Sequence, residues 1–166
     1  MVLKNFTESE TKIIVSILVV LFVVIGFNMS TSLRRGRDSI RKNDISAVQG
    51  ALDTYYQKYH IYPLSNDKGQ IIGCFNEKPQ VDLQSGVPIN VVLCDYVQSR
   101  FEDLRSMPRD PNHKKGAEYL YISDGSKYEF FISLEGKDEA EYSPTIVTKN
   151  LQCGNRICNY GKGNKW

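Results

Sequence analysis

Residues 13–27, IIVSILVVLFVVIGF, form an apolar run that only Ser16 and Gly26 interrupt. The apolar character continues to Met29, which places the segment at the short end of the length, about 20 residues, that a membrane-spanning helix needs. A buried core helix is the alternative, but a run this apolar is hard to bury in a small domain. We therefore expect a membrane helix. Its side chains in contact with lipid or neighbouring helices are expected to include Ile13, Leu18, Leu21, Phe22, Ile25 and Phe27.

The helix is expected to continue from Thr11 to Tyr59, because no proline occurs before Pro63. Its second half carries apolar residues at three- and four-residue steps, which predicts a face that packs on its own domain. The members of this stripe are Val48, Leu52, Tyr55 and Tyr59. Residues 34–44 are highly charged, so we expect them to be solvated or to contact neighbouring chains.

The composition fits a small anchored domain. The chain has 166 residues, which leaves roughly 105 for one head after the helix, a normal size for a single core. The net charge is +2 with 24% charged residues, so no nucleic-acid partner is predicted. The charges around the apolar run leave its orientation open. Arg34, Arg35, Arg37, Arg41 and Lys42 follow the run, and this basic cluster favours a cytoplasmic head.

The cysteines favour the opposite orientation. All four lie in the head, and an even number of cysteines fits an oxidising compartment. Cys74 and Cys94 flank an irregular insertion that a disulfide would close, and Cys153 and Cys158 enclose a short turn. Zinc is the alternative, but neither pair has the usual C-x₂-C spacing. Disulfides are therefore favoured, while the sequence leaves their connectivity open.

The head is expected to contain short strands separated by turns. A first strand is predicted over residues 70–75, and a short helix within residues 89–105. Residues 118–123 and 127–134 alternate aromatic and β-branched side chains around Asp124-Gly125, which predicts an antiparallel hairpin. The tyrosines and phenylalanine of this hairpin are expected to pack across the strands. Together these elements predict an α+β fold, with one long helix packed on a small antiparallel sheet.

Two groups of residues carry a further pattern. The first is Phe6-Thr7-x-x-Glu10, the apolar run and RRGRDSIRKNDISAVQGALDTYYQKYHIYP, which ends at Tyr62-Pro63. The second is SMPRDP, residues 106–111, followed by YLYISDGSKYEFFISLE. Together they resemble the type IV pilins and the type II secretion pseudopilins, in whose heads a P-x-D-P loop leads into an antiparallel sheet. The resemblance covers residues 6–65 and, more loosely, residues 105–135.

The resemblance implies a pilin-like fold and a structural role. Residues 1–5 would be a leader removed by a prepilin peptidase, 6–32 the membrane and assembly half of the helix, 33–62 its amphipathic half and 63–166 the head. Asn5 stands where the family's peptidase normally cuts after glycine. After cleavage, Glu10 would neutralise the amino group of Phe6 in a neighbouring subunit. In the alternative interpretation, Glu10 is an acid at the helix N-terminus, favoured by the helix dipole.

The function expected is that of a major or minor structural subunit of a type IV pilus or a type II secretion pseudopilus. Its partners would be the membrane, copies of itself, other pilin-like subunits and the pilus assembly machinery. It would lie in the cytoplasmic membrane as a single-pass protein with the head outside, or in an extracellular filament. The alternative is an uncleaved, single-pass anchored module whose head binds an extracellular ligand and forms no filament.

Neither an enzyme nor a cofactor is predicted. His60 and His113 belong to no recognised triad or metal motif, and the chain has no glycine-rich phosphate loop. Some pseudopilins bind calcium through carboxylates of the head, and oxygen ligands on loops suit this ion. The spacing here matches no EF-hand, so a solvated acidic loop is the alternative. The calcium candidates are Asp124, Glu135, Asp138 and Glu139.

Overall fold

The structure, a computed structural model, describes residues 7–76, 78–94, 101–102, 104 and 106–164. Its dominant element is one long helix, α1, Glu8–Tyr59, which confirms the predicted helix and begins three residues earlier than expected. The helix ends where His60 adopts a left-handed backbone conformation, with φ at 56°. Tyr62 and Pro63 then lead into the first strand. This agrees with the rule that the residue before a proline is disfavoured in the α-helical conformation.

The chain divides into two compact units. The first is Met1–Gly36 and the second, here called the C-terminal unit, is Arg37–Trp166. The C-terminal unit contains a second short helix, α2, Pro144–Thr148, and a 3₁₀ turn, His113–Lys115. Its strands are β1 Leu64–Ser65, β2 Ile71–Cys74, β3 Val92–Leu93, β4 Leu120–Ser123, β5 Tyr128–Ile132, β6 Gln152–Cys153, β7 Arg156–Ile157 and β8 Tyr160–Gly163.

The strands form three small antiparallel sheets. Their orders are β1-β2-β3, β4-β5-β8 and β6-β7. The predicted α+β class is therefore confirmed, as one long helix with small antiparallel sheets. The short helix expected within residues 89–105 is wrong for Val92–Leu93, which forms β3 and pairs with β2. Residues 95–100 of that expected helix lie outside the described residues.

The predicted hairpin is β4 and β5, in which Ser123 pairs with Tyr128 and Tyr121 with Phe130. Its turn is fixed by Asp124, whose Oδ1 accepts hydrogen bonds from the Ser126 and Lys127 backbone amides at 2.8 and 2.9 Å. The third strand, β8, was not predicted. Its sequence, YGKG, lacks the alternation of apolar and polar residues that marks a strand. Glycine is needed at position 161, because a side chain there would collide with the Phe131 ring.

The core lies where the second half of α1 packs on the sheets. Val48 and Leu52 are fully buried, and Tyr55 is stacked on Phe101 with ring centroids 5.8 Å apart. The predicted stripe on α1 is therefore confirmed. Tyr121 lies in the same core and donates a hydrogen bond to the Pro63 carbonyl at 2.8 Å. Burial of each large apolar side chain of this kind contributes about 1.5–3 kcal/mol, so the stripe fixes this half of the helix to the sheets.

Candidate functional site

The first feature with functional meaning is the apolar segment of α1. Its large apolar side chains between residues 13 and 25 are all exposed, from 41% at Ile14 to 73% at Phe22. They surround the helix, so no single apolar face is available to pack on a protein core. This part of α1 is long and apolar enough to cross a membrane, by its length and composition, and it is not buried in the protein.

The polar side chains of this segment bond to their own helix. The Ser16 hydroxyl donates to the Ile13 carbonyl at 2.8 Å, and the Asn28 amide donates to the Val24 carbonyl at 3.0 Å. In lipid, unpaired donors cost several kcal/mol, and bonds within the helix avoid that cost. The residues predicted to contact lipid are exposed at Ile13, Leu18, Leu21, Phe22 and Ile25. The side chain of Phe27 lies outside the described part of the chain.

Thr7 and Glu10 form a capping box at the start of α1. The Glu10 carboxylate accepts hydrogen bonds from the Thr7 backbone amide at 2.8 Å and from its hydroxyl at 2.9 Å, and the Thr7 hydroxyl accepts from the Glu10 amide at 3.4 Å. The signal for this cap in the sequence is T-x-x-E directly before an apolar run, and the cap was not predicted from it. The cap places Glu10 in the first turn of α1. Asn5 and Phe6, the predicted processing residues, lie outside the described residues.

The second feature is a cluster of charges around Arg41 in the C-terminal unit. The Arg41 guanidinium binds both carboxylate oxygens of Asp110 at 2.7 and 2.9 Å, and binds Asp38 at 2.7 Å. Arg41 and Asp38 are completely buried. The expectation that residues 34–44 are solvated is therefore wrong for these two residues. Their charges are buried because partners from a distant loop surround them.

Glu135 completes the charge cluster. Its carboxylate accepts two hydrogen bonds from Arg37, at 2.6 and 2.7 Å, and one from Arg41 at 2.9 Å. It accepts a fourth from the side-chain amide of Asn112 at 2.7 Å. The hydrogen bonds from Arg37, and next those from Arg41, lower the pKa of Glu135 to about 2. The carboxylate is therefore ionised at neutral pH and neutralised by two guanidinium groups.

Asp38 and Asp110, the other two carboxylates of the cluster, also accept hydrogen bonds from backbone amides. Asp38 accepts hydrogen bonds from the amides of Glu135 and Gly136, both at 2.9 Å, and Asp110 accepts from the Asn112 amide at 2.7 Å. Among the described residues, every buried side-chain nitrogen or oxygen has a hydrogen-bond partner. The cluster thus joins α1, the P-x-D-P loop and the segment after β5 into one structure, and its chemistry is that of a structural clamp.

A further polar contact joins α1 to the residue before β4. The Tyr119 hydroxyl donates to Asp44 at 2.5 Å. Burial raises the pKa of both groups, and for Tyr119 the neighbouring Asp44 carboxylate raises it further. The pair therefore fixes the helix against the hairpin.

The four calcium candidates are not brought together as a cation site. Asp124 is used by the β4–β5 turn, Glu135 by the two arginines, and Glu139 by Lys42 at 2.9 Å. Asp138 is exposed and also takes part in an interaction. Within the described ranges, no group of three or more histidine, cysteine, aspartate or glutamate residues could hold a metal ion.

All four cysteines form disulfides. Cys74 bonds to Cys94 and Cys153 to Cys158, with Cα–Cα distances of 5.0 and 5.2 Å, which lie within the usual range. The two pairs are those considered from the sequence. One disulfide joins β2 to the end of β3, and the other closes the β6–β7 turn. The C-terminal unit is therefore compatible with an oxidising compartment.

Comparison with protein-family models, with curated proteins and with solved structures found no match to this chain.

Proposed function

We propose that this protein is a membrane-anchored, pilin-like structural subunit that assembles with other subunits through the apolar half of α1. The observation that gives this proposal most support is that the large apolar side chains from Ile13 to Ile25, and that of Met29, are exposed on all sides of the helix. An isolated helix of this kind in water would be strongly unfavourable at about 25 cal/mol per Å² of exposed apolar surface. Lipid, or the helices of neighbouring subunits, would cover it.

The C-terminal unit supports a structural role rather than catalysis. Four of its buried polar residues, Asp38, Arg41, Asp110 and Asn112, bind one another or Glu135, and the carboxylates of Glu135, Glu139 and Asp124 are used by arginines, by a lysine and by a turn. The two disulfides favour a head outside the cytoplasm. We infer a single-pass topology in which α1 crosses the cytoplasmic membrane, and partners that include copies of this chain, other pilin-like subunits, a prepilin peptidase and the assembly machinery.

A second candidate function is an uncleaved anchor that displays its head outside and forms no filament. The capping box favours it, because the Glu10 carboxylate is used by Thr7 of its own chain. In pilin-like assembly the same carboxylate would meet the amino group of Phe6 of a neighbouring subunit. Asn5, in the place of the glycine that the peptidase normally recognises, favours it further.

Intact-mass and N-terminal analysis of the native protein tests the choice. The protein is isolated from membranes and from filaments sheared off the cell surface, with no reductant present. A chain that starts at Phe6 in the sheared fraction is the expected result for a filament subunit. A chain that starts at Met1 or Val2 and occurs only in membranes would refute the filament role and support the anchor. A Glu10→Leu variant, with Glu8→Gln as the matched control, separates assembly from processing.

A further inference from the structure

The segment that joins β2 to β3 carries exposed apolar side chains. Its central part, residues 80–89, is here called the apolar loop. Leu83 is fully exposed in this loop, and Val81 and Ile89 are 43% and 65% exposed. Apolar side chains that lie together at the surface are unfavourable in water and mark a contact with another molecule. The apolar loop is therefore a candidate interaction surface of the C-terminal unit.

Hydrogen bonds fix the conformation of the apolar loop. The Asp82 amide donates to the Val87 carbonyl at 2.9 Å, and the Gly86 amide donates to the Asp82 carbonyl at 2.8 Å. The Asp82 carboxylate accepts from the Ser85 hydroxyl at 2.6 Å, and this bond is the main one that lowers the pKa of Asp82. An ionised carboxylate therefore lies next to Leu83. Because the backbone is already ordered, docking of the loop loses little conformational entropy.

A groove of about 630 Å³ lies beside β8, between α2 and Gln49 of α1. It is here called the β8 groove, and its apolar lining includes Phe131, Ile146 and Tyr160. Gly161 leaves room for the Phe131 ring, since a side chain at this position would approach the ring to 2.5 Å. Sites that hold a ligand typically have volumes of about 300–1,000 Å³. The groove therefore has room for an apolar side chain of another molecule.

The β8 groove has a lysine left over after its carboxylates are neutralised. Each carboxylate of the groove is bound by a lysine, in the pairs Lys149–Glu129 and Lys42–Glu141. The Lys162 amine donates to the Ser46 hydroxyl at 3.2 Å, and it has no ion-pair partner in the described part of the chain. The charge of Lys162 is thus complementary to that of Asp82 in the apolar loop.

The apolar loop and the β8 groove lie at opposite ends of the strand order in the C-terminal unit. β1 and β4 are neighbours, since the Tyr121 amide donates to the Gly69 carbonyl at 2.8 Å and the Ser123 amide donates to the Ser65 hydroxyl at 3.3 Å. The order across the unit is therefore β3-β2-β1-β4-β5-β8. The loop follows β2 at one end, and the groove lies beside β8 at the other. Contact between them requires two copies of the chain.

We propose that the apolar loop of one copy docks in the β8 groove of the next, with Leu83 against Ile146 and Tyr160 and with Asp82 near Lys162. The two surfaces differ, so the contact is heterologous, and it continues as an open filament where the rotation closes no ring. The inference rests on the proposed function, because it names the contact between the heads of assembled subunits. Burial of one leucine strengthens association about tenfold to a hundredfold. Anchoring in one membrane raises the effective concentration of the copies further.

A pair of introduced cysteines in the full chain tests the proposal in native membranes. The pair is Leu83→Cys with Thr145→Cys, and Thr145 lines the groove from α2. Both positions are exposed, so neither change removes a packed side chain, and all four native cysteines are already in disulfides. After mild oxidation we expect a ladder of dimers, trimers and larger products. The matched control, Leu83→Cys with Lys68→Cys in the exposed loop between β1 and β2, should give no ladder.

Two further measurements sharpen the test. Coexpression of the Leu83→Cys chain with the Thr145→Cys chain should give a dimer and no larger product, because each chain then carries one thiol. Lys162→Gln, added to the cysteine pair, should slow cross-linking by up to about fivefold, as expected for the loss of one exposed ion pair. Lys127→Gln, at an exposed position of the β4–β5 turn, should leave the rate unchanged.

Three results would overturn the proposal. A dimer from the Leu83→Cys chain alone would place the apolar loop against a second apolar loop. A ladder of equal yield from the Lys68→Cys control would show that the copies collide at random. A cross-link of Leu83→Cys to a different protein, with none between copies, would assign the loop to another partner.

Recovery of the cysteine-pair chain in sheared filaments separates this inference from the proposed function. A chain that is recovered in filaments but gives no ladder refutes the inference and leaves assembly through α1 in place. A chain that occurs only in membranes and gives no ladder refutes the filament role and this inference together.

Discussion

Replacement of Arg41 by methionine removes the central cation of the buried cluster while keeping an apolar side chain of similar length. The guanidinium compensates two carboxylates that are nearly inaccessible to water, Asp38 and Asp110, with side-chain exposures of 0% and 1%. Removing one partner of a buried ion pair leaves an uncompensated charge and costs about 3–5 kcal/mol. The remaining backbone hydrogen bonds to both carboxylates do not replace the lost positive charge. We therefore expect the C-terminal unit of Arg41→Met to be 3–5 kcal/mol less stable, by the same estimate.

Arg37→Met is the matched control, because Arg37 also binds Glu135 but is 33% exposed. Partly exposed ion pairs contribute about 1 kcal/mol or less, since water screens them. Both variants are unfolded by urea as full chains in detergent micelles and followed by the near-ultraviolet circular dichroism of their tyrosines. A cost below about 1 kcal/mol for Arg41→Met, or equal costs for the two variants, would refute the assignment of the cluster as a buried clamp.

Three further predictions concern the Cys74–Cys94 disulfide, the dependence of stability on acidic pH and the cap of α1. Cys74→Ala with Cys94→Ala should lower the free energy of unfolding by about 3 kcal/mol, measured by the same urea titration, because the disulfide closes a loop with a sequence separation of 20. The pKa of Glu135 falls from 4.5 to about 2 on folding, so its contribution, up to about 3 kcal/mol, is complete above pH 4.5 and lost as pH falls toward 2. Glu135→Gln should therefore flatten the pH dependence of the urea midpoint in this window, and an unchanged slope would contradict it. Thr7→Ala should cost about 1 kcal/mol locally and speed hydrogen exchange in the first turn of α1 about fivefold, with Ser9→Ala as the control.

The elements that the sequence predicted well are those specified by local patterns. The apolar run and the absence of proline before Pro63 were sufficient to predict α1, and Asp124-Gly125 was sufficient to predict the turn between β4 and β5. In each case the deciding residues are neighbours in the chain. The three- and four-residue spacing of the stripe likewise predicted which face of the helix is buried.

The charge cluster could not be predicted in this way. Arg41 lies 69 residues from Asp110 and 94 from Glu135, so the helix alone gives no sign that its charge is paired. Local sequence patterns predict that Arg41 lies on a solvated face of the helix. In the folded protein its guanidinium is surrounded by carboxylates from distant segments. Strand β8 was missed for another reason, since Gly161 is required by the neighbouring Phe131 ring and weakens the alternation that marks a strand.

The capping box is a different case, because its signal was present in the sequence. Thr7 and Glu10 have the spacing of a capping box directly before an apolar run. The sequence predicts Glu10 as a partner for a neighbouring subunit or as a helix-terminal acid, whereas its reciprocal hydrogen bond to Thr7 was not predicted. The cap explains why α1 begins at Glu8.

The most direct test of the central claim is disulfide cross-linking within the membrane. All four native cysteines are paired, so Val20→Cys, at a position 61% exposed on the apolar segment, introduces a single free thiol. Asp67→Cys, in an exposed loop of the C-terminal unit, is the control. After oxidation of native membranes, the account predicts a cross-linked dimer for Val20→Cys and none for Asp67→Cys. A Val20→Cys thiol that reacts with water-soluble maleimide and forms no dimer would contradict it.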